Sequence, residues 1–466
     1  MDGKTLILEA WTKLCAGNPA APAVIDGESG DITTRQALLD RSRLLAGELD
    51  RAGVRHDELV AIQLPNSVDF LAAFLAVLEK GAVAVPIDRD ATQSEVAAIL
   101  THFDIRALVY RGSQSRTEVS QRGDARAIDR PRRSALIKLT SGSSGLPKGI
   151  LTTEANLVAD CRNICSSMGI RGSDRNLGAI PFSHSYGFSN LVTPLLLEGT
   201  AVVATNQYLP LSLLEISNRF ECTVFPGIPM IFDHLARTPR NDGHFASIRT
   251  FLSAGAPLRD HVSRAFRERF GQPIHSFYGC SECGGIAYDR EGASVERGTV
   301  GRPMDGVSIE IASKSGRLCI VSDAVAAGYV FGSEEENWRF EERRYTTDDL
   351  ARFTEQDEIE LTGRVGDIIN IAGKKVNPRE VEQILLQMPS VHEAKVYGES
   401  AGARGDVVAA AVVGEPGLTR EAVREFCRMY LSSWKVPRVV KILDQLPLDE
   451  RGKIKKAMLA ELWRKC

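Results

Sequence analysis

The run Leu139-Thr140-Ser141-Gly142-Ser143-Ser144-Gly145-Leu146-Pro147-Lys148-Gly149 gathers hydroxyls, glycines and a single lysine behind an apolar stretch, 135–139, that reads as a strand. Such a loop can aim backbone N–H groups and a fixed positive charge at a polyphosphate. It is not a Walker A loop, which needs Gly-Lys-Ser/Thr opening a helix; here Pro147 precedes the lysine and Gly149 follows it. Taken alone, the loop reads equally well as a Gly/Ser surface linker.

Further residues able to handle phosphate, metal or a developing charge follow in order. They lie in Tyr278-Gly279-Cys280-Ser281-Glu282, Tyr345-Thr346-Thr347-Asp348-Asp349-Leu350, Gly363-Arg364, and Leu446-Pro447 followed by Gly452-Lys453-Ile454. With these motifs the chain resembles the acyl-adenylate-forming (AMP-binding) superfamily of acyl- and aryl-CoA synthetases, nonribosomal-peptide adenylation domains and beetle luciferases. The resemblance spans nearly the whole chain at compatible spacings. Lesser matches at 181–187, Ser253-Ala254-Gly255-Ala256-Pro257-Leu258 and Gly301-Arg302-Pro303 agree with it.

That resemblance implies an activity. A carboxylate is a poor electrophile, and attack on the α-phosphate of ATP converts it to an acyl-adenylate with loss of pyrophosphate. The reactants must be held in line and the developing charge neutralised. By resemblance, Thr140, Ser141, Gly142, Ser143, Ser144, Gly145 and Lys148 embrace the β- and γ-phosphates. Glu282 is the magnesium ligand, as suits a hard cation, and Ser281 contacts phosphate. Gly255, Ala256 and Pro257 flank the adenine, with the Tyr278 ring beside it. Asp349 accepts the ribose hydroxyls next to Arg364, Lys375 faces the phosphates, and Lys453 bridges carboxylate and α-phosphate. His184 matches the mouth of the acyl pocket, although as a residue it reads nearly as well as a buried structural histidine. Glu282 and Asp349 as solvated loop acids, and Lys453 as a surface lysine near Lys455 and Lys456, are the plainer alternatives.

The implied second step passes the acyl group to a thiol. The C-terminal domain turns about a pivot at Gly366, withdraws Lys453 and presents Gly373, whose small size lets a pantetheine arm pass. The implied cofactors are ATP, Mg2+ and CoA, or the phosphopantetheine of an acyl carrier protein; the reading is an AMP-forming acid–thiol ligase. The alternatives are a stand-alone enzyme loading a carrier protein, a nucleotide-binding module without catalysis, and a luciferase-like oxygenase.

Several positions depart from the pattern. Gly366 stands where relatives often carry Asp or Lys, and Asp348 replaces the usual glycine before the ribose-binding acid, adding a negative charge. Gly279 occupies a position that acetate-specific relatives fill with tryptophan, and Phe277 is larger than usual. With neither Asp nor Arg at the expected pocket positions, the substrate reads as an aryl or short-to-medium apolar carboxylic acid.

The elements that must position these residues are an α/β set. Thr33 or Thr34 can cap a helix carrying Leu38, Leu39, Leu45 and Leu49. A strand over 58–65, a helix on Val68, Leu71, Leu75 and Leu78, and a strand over 82–87 follow. Interior strands are predicted at 177–181, 201–204, 223–226 and 250–254, as in a parallel sheet flanked by helices. After a glycine-punctuated stretch the texture becomes helix 378–388, strands 393–397 and 407–413, and a helix capped by Thr419 with Val423, Phe426 and Tyr430 facing inward. The predicted architecture is a large N-terminal domain of packed mixed and parallel sheets, residues 1–363, plus a small α+β C-terminal domain, 364–466, on a hinge.

At 466 residues the chain exceeds one compact core. A net charge of -3 supplies no electrostatic reason to bind nucleic acid or an acidic membrane. No membrane-spanning run or secretory leader is visible, so a cytoplasmic address is expected. The 9 cysteines, odd in number and scattered, suit a reducing compartment. Cys161 with Cys165 and Cys280 with Cys283 could in principle form a zinc site, but lack matching knuckle contexts and read better as core or loop thiols.

Overall fold

The computed structural model describes residues 6–112, 116–122, 133–140, 147–238, 245–313, 315–330, 337–367, 369–371, 374–400 and 406–447. The chain divides into two compact units, Met1–Ile309 with Ile320–Tyr345, and Glu310–Cys319 with Thr346–Cys466. The chain passes between them three times, inside the strands Ser308–Ile311, Arg317–Val321 and Arg344–Phe353, the last of which carries the Tyr345 to Leu350 motif.

The first unit is built on two sheets. One orders its seven strands as Gly328–Val330, Lys148–Thr153, Ser134–Thr140, Val83–Pro86, Leu59–Gln63, Ala107–Arg111 and Thr117–Gln121. Its centre is parallel and its flanks antiparallel. The other runs Arg302–Pro303, Gly284–Tyr288, Ile274–Cys280, Thr250–Ser253, Val224–Gly227, Arg175–Gly178, Ala201–Ala204, Pro22–Asp26, Ile32–Thr34. The predicted strands are present with ends shifted by up to a few residues; the antiparallel flanks are additional.

Local chemistry explains several boundaries. Thr34, not Thr33, caps helix Arg35–Arg51, its hydroxyl accepting from Ala37 N. Ser67 does the same for Val68–Glu79. In that helix every residue from Asp69 to Leu78 is buried, so it is enclosed on all sides rather than on the one face its leucines suggest. It joins strand residues of both sheets, Val60, Ile62 and Ala84 of one and Val24, Val202 and Ala204 of the other, in a single core. Phe70 packs edge-on to Phe182 and Phe74 to Phe188. Each buried ring contributes about 2–3 kcal/mol, which fixes the segment after Phe182 where the candidate site begins.

In the second unit, strand Val391–Ser400 pairs antiparallel with Asp406–Gly414, which pairs parallel with Val439–Ile442. Helices Pro378–Leu386 and Arg420–Tyr430 close a core of Val381, Leu385, Val396, Val408, Val423 and Cys427. Thr419 is the N-cap, as expected, but Cys427 rather than Tyr430 is buried; Tyr430 is 57% exposed. At about 100° per residue Tyr430 returns to nearly the same face as Val423, so its exposure comes from its place as the last residue of the helix, not from its face.

Candidate active site

The site in the first unit starts at a hairpin. Strands Ser134–Thr140 and Lys148–Thr153 pair antiparallel with Thr140 opposite Lys148, so the hydroxyl-rich loop lies between two paired residues. Ser141, Gly142, Ser143, Ser144 and Gly145 lie outside the described residues. Gly328–Val330 adds a third strand, with Tyr329 opposite Ile150 and Val330 opposite Gly149. The Lys148 Nζ sits 5.5 Å from the centroid of the Tyr329 ring.

Glu282 reaches the same place from the other sheet. Strand Ile274–Cys280 turns through Ser281, Glu282 and Cys283 into Gly284–Tyr288, with Cys280 opposite Gly284. The Tyr329 hydroxyl donates to Glu282 Oε1 at 2.9 Å and lies 3.2 Å from the Tyr345 hydroxyl. Burial first, then the negative charge of Glu282, pushes Tyr329 and Tyr345 up, so both remain protonated at neutral pH. Glu282 is thus partly buried and aimed, not freely solvated.

Ser281 Oγ is 2.7 Å from Ser185 Oγ, which ties the Glu282 turn to the turn carrying His184. His184 is neither fully buried nor unpartnered: its Nε2 lies 2.9 Å from Asp88 Oδ2, from the loop after strand Val83–Pro86. Beyond it a short helix, Ser185–Gly187, runs into a π-helical turn, Phe188–Val192. Ser189 in that turn donates to buried Asp160 Oδ2 at 2.6 Å, while Asp160 Oδ1 accepts from Gly285 N at 2.9 Å. Asp160, on helix Glu154–Met168, therefore holds both turns.

Phe277 is buried against Tyr186, ring centroids 5.7 Å apart, and forms an apolar wall. Tyr278 and Gly279 follow on the same strand, where a bulge interrupts the pairing. A Cβ on Gly279 would lie 2.5 Å from Gly284 O, so backbone packing alone demands glycine there. Gly255, just past strand Thr250–Ser253, has φ +85°, a conformation only glycine adopts freely, and Ala256 and Pro257 follow it.

Two pairs of cysteines lie close together. Cys280 and Cys283 sulfurs are 3.1 Å apart and Cys161 and Cys165 sulfurs 3.8 Å apart. Among the described residues, there is no group of three or more His, Cys, Asp or Glu that could hold a metal ion.

In the second unit, Asp349 and Arg364 face each other across a hairpin, Arg364 Nε lying 3.4 Å from Asp349 Oδ1. The Thr347 hydroxyl accepts from Asp349 N at 3.0 Å and fixes that carboxylate's backbone. Gly366 lies in a one-turn 3-10 helix, Val365–Asp367. Lys375 sits in strand Lys374–Val376, its side chain outside the described residues together with Gly373 and Lys453.

Sequence reasoning missed Tyr329, Asp88, Ser185 and Asp160. Each acts through a partner far along the chain, and only Ser185, inside the 181–187 match, lies in a motif. Support for Tyr329 comes from Asn156, whose side-chain amide donates to Asp323 O and Val325 O at 2.8 and 2.7 Å. Ala326 N and Ala327 N then bond Glu282 O and Leu151 O.

A phosphate-type hairpin, an aimed carboxylate and a separate small α+β unit define an adenylate-forming ligase. Comparison with known proteins agrees. Residues 11–330 match the AMP-binding enzyme family and residues 380–453 the AMP-binding enzyme C-terminal domain, and the chain belongs to that family. It is 26% identical to a medium-chain fatty-acid–CoA ligase of Escherichia coli (strain K12), over 98% of this chain and 90% of that one. It is 25% identical to an oxalate–CoA ligase of Arabidopsis thaliana, over 88% of this chain and 89% of that one. Among solved structures, ATP-bound MatB from Rhodopseudomonas palustris superposes with TM-score 0.86 over 98% of both chains at 23% identity, a likeness of fold. The amide bond synthetase McbA from Marinactinospora thermotolerans superposes with TM-score 0.84, 26% identity, and 98% and 99% coverage of the two chains.

Proposed function

We propose that the protein activates a carboxylic acid with ATP, releasing pyrophosphate, and passes the acyl group to the thiol of CoA. The observation that carries this most is the meeting of Lys148 and Glu282, distant in sequence, on the two sides of Tyr329. A cation and an aimed carboxylate beside the hydroxyl-rich hairpin suit a metal–polyphosphate substrate. A single protein carboxylate fits Mg2+, which keeps waters and substrate phosphate oxygens in its remaining positions; when bound, that ion neutralises charge on the phosphates.

In this reading Lys148 and the 140–148 loop orient the β- and γ-phosphates, while Asp349 and Arg364 hold the ribose end. The substrate carboxylate oxygen attacks the α-phosphorus, the bond to pyrophosphate breaks, and Lys453 offsets the charge on the α-phosphate. The thiol sulfur then attacks the acyl carbon, its proton is lost, and AMP leaves. The pivot is placed at Gly366, with the moving domain, 364–466, beginning inside the second compact unit. Phe277, Gly279 and His184 line the acyl end, and the apolar Phe277–Tyr186 wall favours an aryl or short-to-medium apolar acid. The relatives' substrates, a fatty acid and oxalate among them, do not choose one. No helix among the described residues is long and apolar enough to cross a membrane, and a cytoplasmic address belongs to this reading.

A panel of carboxylic acids scored by pyrophosphate release, with CoA, with carrier proteins and with neither, tests it. Release with benzoate-type or C4 to C8 acids and a thioester only with CoA is expected. Thioester only on a carrier protein would shift the acceptor, and acid-dependent ATP–pyrophosphate exchange that survives Lys453→Ala would remove the catalytic assignment.

A further inference from the structure

Tyr329 touches both charged groups of the phosphate end and belongs to none of the motifs read from the sequence. Its hydroxyl donates to Glu282 Oε1 at 2.9 Å, and its ring face lies 5.5 Å from Lys148 Nζ. The ring cannot swing freely. Phe340 packs edge-on at 5.1 Å, Tyr345 holds the hydroxyl from the far side, and the backbone at 329 is paired to Ile150. Tyr329 N also bonds Asn337 Oδ1 at 3.0 Å.

A glutamate side chain has three rotatable bonds, and a lone carboxylate ligand binds a cation poorly unless something holds it. Carboxylates that ligate metals are themselves hydrogen-bonded, and losing that outer partner typically weakens metal affinity 10- to 100-fold.

We infer that Tyr329 is a positioning residue for the phosphate end of the site. Its hydroxyl fixes the Glu282 carboxylate for a divalent cation, and its ring face fixes the Lys148 ammonium. The inference rests on the reading of Glu282 as the metal carboxylate. It separates two contributions that one side chain makes: the hydroxyl serves the metal, the ring serves the lysine.

Tyr329→Phe keeps the ring and removes the hydroxyl; Tyr329→Leu removes both. ATP binding by calorimetry without divalent metal, and Mn2+ binding to the ATP-loaded protein by electron paramagnetic resonance, read the two contributions independently of turnover. Tyr329→Phe is expected to weaken Mn2+ binding roughly 10-fold or more, with metal-free ATP affinity within about twofold of wild type. Tyr329→Leu is expected to weaken both. Tyr345→Phe, which removes only the supporting hydroxyl, shifts Mn2+ binding in the same direction by less and serves if Tyr329 variants fold poorly. In a Glu282→Gln background, Tyr329→Phe should add nothing further. Unchanged Mn2+ affinity in Tyr329→Phe, or equal losses with and without metal, overturns the inference. If wild-type protein binds no ATP, the ligase reading fails first and the inference goes with it.

Discussion

Arg317 Nη2 lies 3.8 Å from Asp348 Oδ1, a cation set against the acid that stands where relatives carry glycine. The extra negative charge next to Asp349 is thereby balanced within its own unit. Such a partly exposed pair contributes about 1 kcal/mol at most, yet it decides whether a phosphate-bearing ligand meets one carboxylate or two. Arg317→Ala should raise the KM for ATP roughly threefold to tenfold. Asp348→Gly alone should leave it unchanged or lower it, and the double variant should return toward wild type. Steady-state kinetics of the three variants check this; additive effects would show that the two side chains act separately.

Gly279 makes a second test, because two explanations of one glycine diverge. As a pocket position it could be filled by tryptophan to exclude larger acids. The hairpin leaves no such freedom, since a Cβ would come within 2.5 Å of Gly284 O. Gly279→Ala should cost about 1–3 kcal/mol, seen as a lower thermal midpoint. Gly279→Trp should disturb the Ile274–Cys280 hairpin rather than narrow the acid range. A tryptophan variant that melts like wild type and turns over only the smallest acids would restore the pocket explanation.

Much of the fold was legible in the sequence where the signal is local. Thr34 and Thr419 cap helices because hydroxyls at those positions satisfy free N–H groups of the first turn. Val68–Glu79 was legible as a helix, but its total enclosure was not, because alanines at 72, 73 and 76 show no preference for one face until two sheets close on them. Tyr430 was misplaced because helical spacing gives the face but not where the core ends: it shares the face of Val423, yet as the last residue of its helix it stands exposed. Of the candidate site, Glu282 and Asp349 stand out in the sequence because their neighbours form motifs, as does the loop, whose residues 141–146 lie outside the described ones. Asp88, Ser185 and Tyr329 do not, since the bonds they make join segments that only the folded sheets bring together.

At Gly366, a Cβ would meet nothing within 4 Å, and the residue is not among the glycines held at positive φ. In this conformation alanine fits. Gly366→Ala should be neutral or stabilising by about 0.4–1 kcal/mol through the unfolded chain. If rotation about this position takes the backbone into glycine-only territory, the same variant keeps acid-dependent ATP–pyrophosphate exchange within about twofold and slows thioester formation roughly tenfold. Measuring the two half-reactions separately distinguishes the steps. Equal slowing of both, or of neither, would place the pivot elsewhere.

Asp174 supports the nine-stranded sheet from below the start of strand Arg175–Gly178 and supplies a pH dependence with a definite sign. Its carboxylate accepts from Arg249 Nη2 at 2.6 Å and Nε at 3.2 Å, from the Thr223 hydroxyl at 2.8 Å, and from Arg171 N at 2.8 Å. Burial pushes the acid up, but the bond from Arg249 and those from Arg171 and Thr223 outweigh it and hold it below its ordinary 3.8. A folded-state value below the unfolded one means stability that is present above about pH 4 and disappears as pH falls through the folded value. Asp174→Asn should therefore cost about 2 kcal/mol at pH 7, less than a fully enclosed pair because Arg249 is 40% exposed. The gap between the two urea midpoints should hold from pH 7 to pH 5 and close as pH drops below 4. A gap that persists undiminished at pH 3, in protein still folded there, would mean that the amide fails through its geometry and not through lost charge.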